Sequence, residues 1–124
     1  MNMNERELVE VAVGAAYEVS NALGCGFLES VYKRALFREI RLFGLPVEKE
    51  VSFSVQYKGE SVGDYFADLV IDGRLVVELK CVEQFSNAHL AQCLNYLKAS
   101  GLATALLINF QRPKVEWRRI VSRS

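Results

Sequence analysis

Residues 64–80, Asp64-Tyr65-Phe66-Ala67-Asp68-Leu69-Val70-Ile71-Asp72-Gly73-Arg74-Leu75-Val76-Val77-Glu78-Leu79-Lys80, decide the fold. Val62 to Ile71 reads as a strand, Asp72-Gly73 as a hairpin signal, and Leu75 to Val82 as a strand apolar enough to be central in a sheet. Alternation puts Leu75, Val77, Leu79 and Cys81 on one face and Val76, Glu78, Lys80 and Val82 on the other. Two charges therefore sit inside an otherwise apolar strand, and buried charges are costly unless paired or bound to a metal. A plain Glu78–Lys80 pair on the solvated face of an antiparallel sheet is one reading. Asp68 supports another, because it too lies in an apolar strand. Two carboxylates about 4 Å apart repel by roughly 4 kcal/mol at an effective dielectric near 20. A divalent cation reverses the sign of that interaction, and hard oxygen donors suit Mg²⁺ or Mn²⁺.

Whether Asp68 and Glu78 can meet depends on parity in the hairpin. Opposed residues on antiparallel strands share a face. A two-residue turn with Ile71 opposite Arg74 sets Asp68 against Val77 and sends the carboxylates to opposite sides. A three-residue loop with Ile71 opposite Leu75, or a bulge before Glu78, brings them to one side. Gly73 makes either accessible, since glycine takes positive φ without steric cost. The three-residue register also predicts Phe66, Asp68 and Val70 beside Val76, Glu78 and Lys80. It leaves Ala67, Leu69 and Ile71 beside Leu75, Val77 and Leu79 as an unbroken apolar face.

Around this hairpin the pattern is helical at both sides. Asn4 and Glu7 suggest a capping box, and Leu8, Val11, Ala12, Ala15, Val19 and Leu23 repeat at helical spacing. This predicts a helix over Glu5 to Leu23, broken by Gly24-Cys25-Gly26. A second helix follows from Leu28 to Phe43, with Gly44 at its C′ position. Val47 to Tyr57 alternates as a strand, with Val51, Phe53, Val55 and Tyr57 on one face, and Lys58-Gly59-Glu60 reads as a turn. Ser86 caps a helix that Gly101 ends after Ser100. Ala103 to Asn109 and Val115 to Val121 read as further strands. The order is helix, helix, three strands, helix, strand, strand. A meander followed by a crossover helix predicts a mixed β-sheet flanked by helices, an α/β fold in one domain spanning residues 1–124.

The chain has 124 residues, 51% of them hydrophobic, enough for a core without staples. Its formal net charge of zero counts mildly against a protein that coats DNA and says little against an enzyme with one local basic patch. The three cysteines, Cys25, Cys81 and Cys93, form no C-x-x-C pair. A reduced, cytoplasmic setting is expected. The polar N-terminus is no secretory signal, and no apolar run approaches the roughly 20 residues that span a bilayer.

Asp68 followed by Glu78-Leu79-Lys80 resembles the D…(D/E)-x-K core of the PD-(D/E)XK nuclease-like superfamily, whose restriction-endonuclease-like core has a similar element order. Ala67 stands where that motif usually has proline. Gly26-Phe27-Leu28-Glu29-Ser30-Val31-Tyr32 is similar to the motif that names the GxxExxY proteins of that superfamily. The similarity continues through Gly63-Asp64-Tyr65, His89-x-x-Gln92-x-x-x-Tyr96 and Ile108-Asn109-Phe110. The resemblance implies metal-dependent phosphodiester hydrolysis on DNA or RNA, with Mg²⁺, or alternatively Mn²⁺, held by Glu29, Asp68 and Glu78. It implies that Lys80 assists the attacking water and that Gln92 positions the site or the substrate. Many compact nucleases of this kind form homodimers.

Other readings stand beside these. Glu29 also suits a helix N-terminus electrostatically. Gln92 and Tyr96 also fit a polar helix edge with the tyrosine packed inward. His89 and Cys93 share that helix face, but no further ligand is visible for zinc. Arg112, Lys114, Arg118, Arg119 and Arg123 cluster around Trp117, and Arg34, Arg38 and Arg41 form a second stripe. Either group can track phosphates, or simply be solvated. The alternatives to a nuclease are a non-catalytic nucleic-acid-binding domain and an oligomeric interaction domain that keep the fold.

Overall fold

In the computed structural model, which describes residues 2–122, two of the three helices start where a side chain satisfies free N–H groups. α1 (Glu5–Leu23) opens on a capping box: Asn4 Oδ1 accepts from Glu7 N at 2.8 Å, and Glu7 Oε1 accepts from Asn4 N at 3.2 Å. α2 (Glu29–Phe43) has no side-chain cap and ends at Gly44, which takes the left-handed conformation. β1 (Val47–Tyr57), β2 (Glu60–Ile71) and β3 (Leu75–Lys80) follow, then α3 (Asn87–Ser100), β4 (Thr104–Asn109) and β5 (Glu116–Val121). α3 opens on a second box, in which Ser86 Oγ accepts from His89 N and His89 Nδ1 accepts from Ser86 N. The expected boundaries hold to within two residues. The turn at Lys58-Gly59 has two residues rather than three, and Glu60 already pairs with Tyr57.

The five strands lie in the order β1-β2-β3-β4-β5. β3 and β4 are parallel, joined by α3, and every other neighbouring pair is antiparallel. α1 and α2 cover one face, where Leu8, Tyr32, Leu36 and Ile40 pack on Leu69, Ile71, Leu75, Val77, Leu79, Leu106 and Ile108. α3 covers the other, where Cys93, Tyr96 and Leu97 pack on Val70, Val76, Ala105 and Leu107.

The β2–β3 hairpin has the three-residue loop that the site requires. Ile71 pairs with Leu75, Val70 with Val76 and Leu69 with Val77. Asp72 (φ 54°) and Gly73 (φ 65°) are both left-handed, and Arg74 N closes the turn on Ile71 O at 3.0 Å. Aspartate is among the residues that tolerate this conformation.

One expectation about this hairpin is corrected. Ala67 does not share a face with Leu69 and Ile71; it packs in the α3-side core. The same inversion occurs in β1, where Val47 packs on the α1–α2 side and Val51 and Phe53 on the α3 side. All are odd-numbered, so an uninterrupted pleat would put them together. The break lies between the pairs Lys49–Leu69 and Val51–Ala67. Glu50 and Asp68 stand opposite one another there, and Glu50 has φ 55°. A left-handed non-glycine residue inside a strand costs about 1–3 kcal/mol. Phe66 consequently points outward, 60% exposed, instead of lying in the row with Val76.

Candidate active site

Asp68 lies at this inversion, and its side chain takes over where the regular ladder stops. The β2–β3 pairs end at Leu69–Val77. Just beyond, Asp68 Oδ2 accepts from the Leu79 backbone N at 2.9 Å. Glu78 is therefore held beside Asp68, and it is only 4% exposed. Its Oε2 is buried without any hydrogen-bond partner. Burial, followed by the adjoining Asp68 carboxyl, pushes the Glu78 pKa up to about 9, and the charge of Lys80 opposes this. Asp68 and Glu78 thus meet on one side, as parity predicts. Lys80 ends β3, is half-buried, and enters no ion pair among the described residues.

Glu29 reaches the same end of β3 from the first turn of α2. Its Oε1 accepts from Cys81 N at 3.1 Å, directly after Lys80. It does not close a three-carboxylate cluster: no three or more His, Cys, Asp or Glu side chains among the described residues are grouped to hold a metal ion. The convergent pair is Asp68 and Glu78. The loop before Glu29 is fixed by Tyr32, whose hydroxyl donates to Gly24 O at 2.7 Å and accepts from Phe27 N at 3.2 Å. The Tyr32 ring stacks on Phe110, with centroids 4.8 Å apart. Gly26, at φ 110°, provides the bend that L-residues rarely adopt. Gly26, Glu29 and Tyr32 are therefore parts of one device, a pinned loop that delivers a carboxylate to the exit of β3.

From the other face, α3 presents Gln92 and Tyr96. Gln92 Nε2 donates to the Tyr96 hydroxyl at 3.4 Å, and Tyr96 donates to Phe66 O at 2.7 Å. Tyr96 is pushed up in pKa by burial and by Glu78. Cys93 is fully buried and pushed up to about 12, chiefly by burial, so it stays a thiol. His89 is engaged in the α3 cap. Cys93 is thus a packed thiol, and His89 Nδ1 serves the helix cap.

Two residues of this neighbourhood, Lys33 and Glu50, escape a reading by motif. Lys33 Nζ lies 3.7 Å from Asp68 Oδ1 and 3.3 Å from Glu50 Oε1. Its position four residues after Glu29, on the same helical face, is the available signal. Glu50 carries none, being one polar residue in an alternating strand. Asn109 is buried and clamps the segment after β3: its Oδ1 accepts from Val82 N, and its Nδ2 donates to Val82 O at 2.7 Å.

The basic groups are dispersed. Arg112 donates to Glu83 O, Arg118 lies over the Phe85 ring at 5.9 Å, Arg41 lies over Phe37, and Trp117 is 41% exposed. Arg123 lies outside the described residues.

A donor set of two carboxylates, one with an orphaned buried oxygen, fits a hard divalent cation. No helix among the described residues is long and apolar enough to cross a membrane.

A family model described as the PD-(D/E)XK nuclease superfamily matches residues 6–120. No curated protein matches the sequence. Among solved structures, SSO0001 superposes with a TM-score of 0.56 at 21% identity, over 94% of this chain and 58% of that one. The chain thus spans less than two thirds of that structure's length. An alkaline exonuclease, LHK-Exo from Laribacter hongkongensis, superposes with a TM-score of 0.53 at 11% identity, over 94% of this chain and 80% of that one. At these identities the likeness is one of fold.

Proposed function

Since this chain belongs to the PD-(D/E)XK nuclease superfamily, we propose that it is a Mg²⁺-dependent nuclease of the GxxExxY type, acting on DNA or RNA, with Mn²⁺ as a working substitute. One observation carries the reading: the Asp68 and Glu78 carboxyls meet in a buried place where Glu78 Oε2 has no partner. Ionised together they would be mutually unfavourable, so burial beside Asp68 keeps Glu78 protonated up to about pH 9, and a cation that displaces the proton removes the conflict.

Asp68 and Glu78 hold the metal ion. When bound, it supplies Lewis acidity toward a phosphodiester and offsets the charge that hydrolysis develops. Asp68 also fixes the Leu79 amide, which sets the position of Glu78 and Lys80 on either side of it. Lys80 orients the attacking water and stabilises the developing negative charge. Glu29 holds the Cys81 amide and so the course of the chain beyond Lys80, a supporting role rather than that of a third ligand. Gln92 positions the substrate next to Tyr96. The exonuclease activity in the name of the Laribacter protein is consistent with this class of chemistry. The compact fold acts as one domain, in the cytoplasm, as a monomer or a homodimer.

The test is cleavage of labelled single- and double-stranded DNA and RNA with Mg²⁺, with Mn²⁺ and with EDTA, using the wild type and Asp68→Asn. Cleavage of at least one substrate that needs the metal and disappears in Asp68→Asn is expected. Binding without cleavage under every condition would move the protein to the nucleic-acid-binding class, and neither binding nor cleavage to the interaction-module class.

A further inference from the structure

Lys33 has a position that hydrolysis does not require. Its ammonium lies between two carboxylates, 3.7 Å from Asp68 Oδ1 and 3.3 Å from Glu50 Oε1. The Lys33 and Asp68 side chains are 20% and 19% exposed, so water screens their attraction only in part. The other Asp68 oxygen is engaged by the Leu79 amide. Asp68 is therefore already engaged from within the protein on both oxygens, by Lys33 at Oδ1 and by the Leu79 amide at Oδ2.

Glu50 is the second unusual feature. It stands opposite Asp68 in β1, with a left-handed backbone at φ 55° where the strand inverts its pleat. A strained residue persists where its surroundings over-determine it, and such residues concentrate at functional sites. Here the conformation turns the Glu50 carboxylate to Lys33, although that side chain is otherwise 65% exposed.

We infer that Lys33 and Glu50 are positioning residues that set the divalent-metal affinity of Asp68: Lys33 competes with the metal for Asp68, and Glu50 holds Lys33 aside when the metal binds. The inference rests on the proposed metal reading. Two like charges near one carboxylate repel, so binding a cation at Asp68 must displace Lys33 or be weakened by it. Glu50 gives the displaced ammonium a partner within the reach it already has. The pair thereby tunes the metal concentration at which the site fills, without touching the metal.

Opposite signs in two variants make this testable by Mn²⁺ calorimetry on the full chain, with unfolding curves to verify each fold. Lys33→Met is expected to tighten Mn²⁺ by at least about fivefold, a typical size for coupling between sites. Lys33→Arg keeps the charge and is expected to stay within about twofold of wild type. Glu50→Gln is expected to weaken Mn²⁺ by about two- to fivefold, because Lys33 then rests on Asp68 alone. In the double variant Lys33→Met/Glu50→Gln, the effect of Glu50→Gln should vanish, since Glu50 acts through Lys33. Equal affinity in wild type and Lys33→Met overturns the inference while leaving the metal reading intact. Equal weakening by Glu50→Gln in both backgrounds overturns the relay. Mn²⁺ uptake by neither wild type nor Lys33→Met overturns the metal reading and this inference together.

Discussion

Asp68 accepts a hydrogen bond from the backbone amide of Leu79 at 2.9 Å, a side-chain bond in the place where the β2–β3 ladder has stopped. The bond ties a candidate ligand to the strand that carries the other candidate groups, so Asp68 has a structural role separable from its charge. Leu79 is fully buried, and an orphaned buried N–H costs about 1–3 kcal/mol. Asp68→Ala should therefore lower the metal-free unfolding free energy by about that amount. Asp68→Asn keeps an acceptor oxygen and should unfold near the wild-type midpoint while failing to take up Mn²⁺. Urea unfolding in EDTA, paired with Mn²⁺ calorimetry, separates the two roles. Equal destabilisation by both substitutions would tie Asp68 to folding through its charge.

Glu78 gives the pH dependence. Its folded pKa is raised from 4.5 to about 9, so the native state binds a proton that the unfolded state has released. A raised pKa contributes stability that is full below about 4.5 and is lost as the pH rises through about 9. Metal-free protein should accordingly lose stability from pH 5 to pH 9, all else being equal. Glu78→Gln, neutral throughout, should flatten that slope and raise the midpoint of thermal unfolding at pH 8. Mn²⁺ should instead stabilise the wild type increasingly with pH, because it competes with the proton. Thermal melts across pH in EDTA and in Mn²⁺ check both signs, and a wild-type slope unchanged by Glu78→Gln would assign the dependence to another group.

Much of this arrangement is legible in the residues because period-two alternation and loop length are strict. Glu78 and Lys80 share a face by spacing alone. The parity of the Asp72-Gly73-Arg74 loop decides that Asp68 joins them, as the Ile71–Leu75 pair bears out. The inversion at Glu50 and Asp68 was not legible. It depends on the backbone of two opposed residues, and neither is a glycine that would signal it. For that reason Ala67 and Phe66 leave the faces that plain alternation assigns them. Lys33 gives no signal of its role, because a lysine on an amphipathic helix ordinarily reads as solvated. A motif names Glu29 but not the partner of its carboxylate, which here is the Cys81 amide.

Lys80 separates catalysis from metal binding. It lies beside Glu78 on the chain and has no ion-pair partner among the described residues, so its charge is free for a ligand. If the protein cleaves nucleic acid, Lys80→Ala should lower turnover by roughly 10²–10³, the scale of losing one transition-state stabiliser. Mn²⁺ affinity should survive and even tighten slightly, since Lys80 is a like charge. Undiminished cleavage by a purified Lys80→Ala sample would point to another source of activity.

Tyr32 tests whether the pinned loop serves the site. Its hydroxyl holds Gly24 O at 2.7 Å, and its ring stacks on Phe110 in the α1–α2 core. Tyr32→Phe retains the stacking and removes only the hydroxyl, so the loss of stability should be about 0.5–1.5 kcal/mol, the net value of one hydrogen bond. Tyr32→Ala empties a fully buried aromatic position and should cost about 3–5 kcal/mol, enough to unfold a marginal domain. The two effects act on different parts of the molecule. The hydroxyl fastens residues 24–27, and Glu29 follows two residues later to hold the Cys81 amide next to Lys80. Loosening the loop should therefore reduce turnover in Tyr32→Phe by more than its small stability loss explains, with Mn²⁺ binding at Asp68 and Glu78 little changed. Hydrogen exchange at the Cys81 amide gives a direct readout, and faster exchange in Tyr32→Phe is expected. Unchanged exchange at Cys81 together with unchanged turnover would confine Tyr32 to the core and detach the Gly26–Glu29–Tyr32 device from the chemistry.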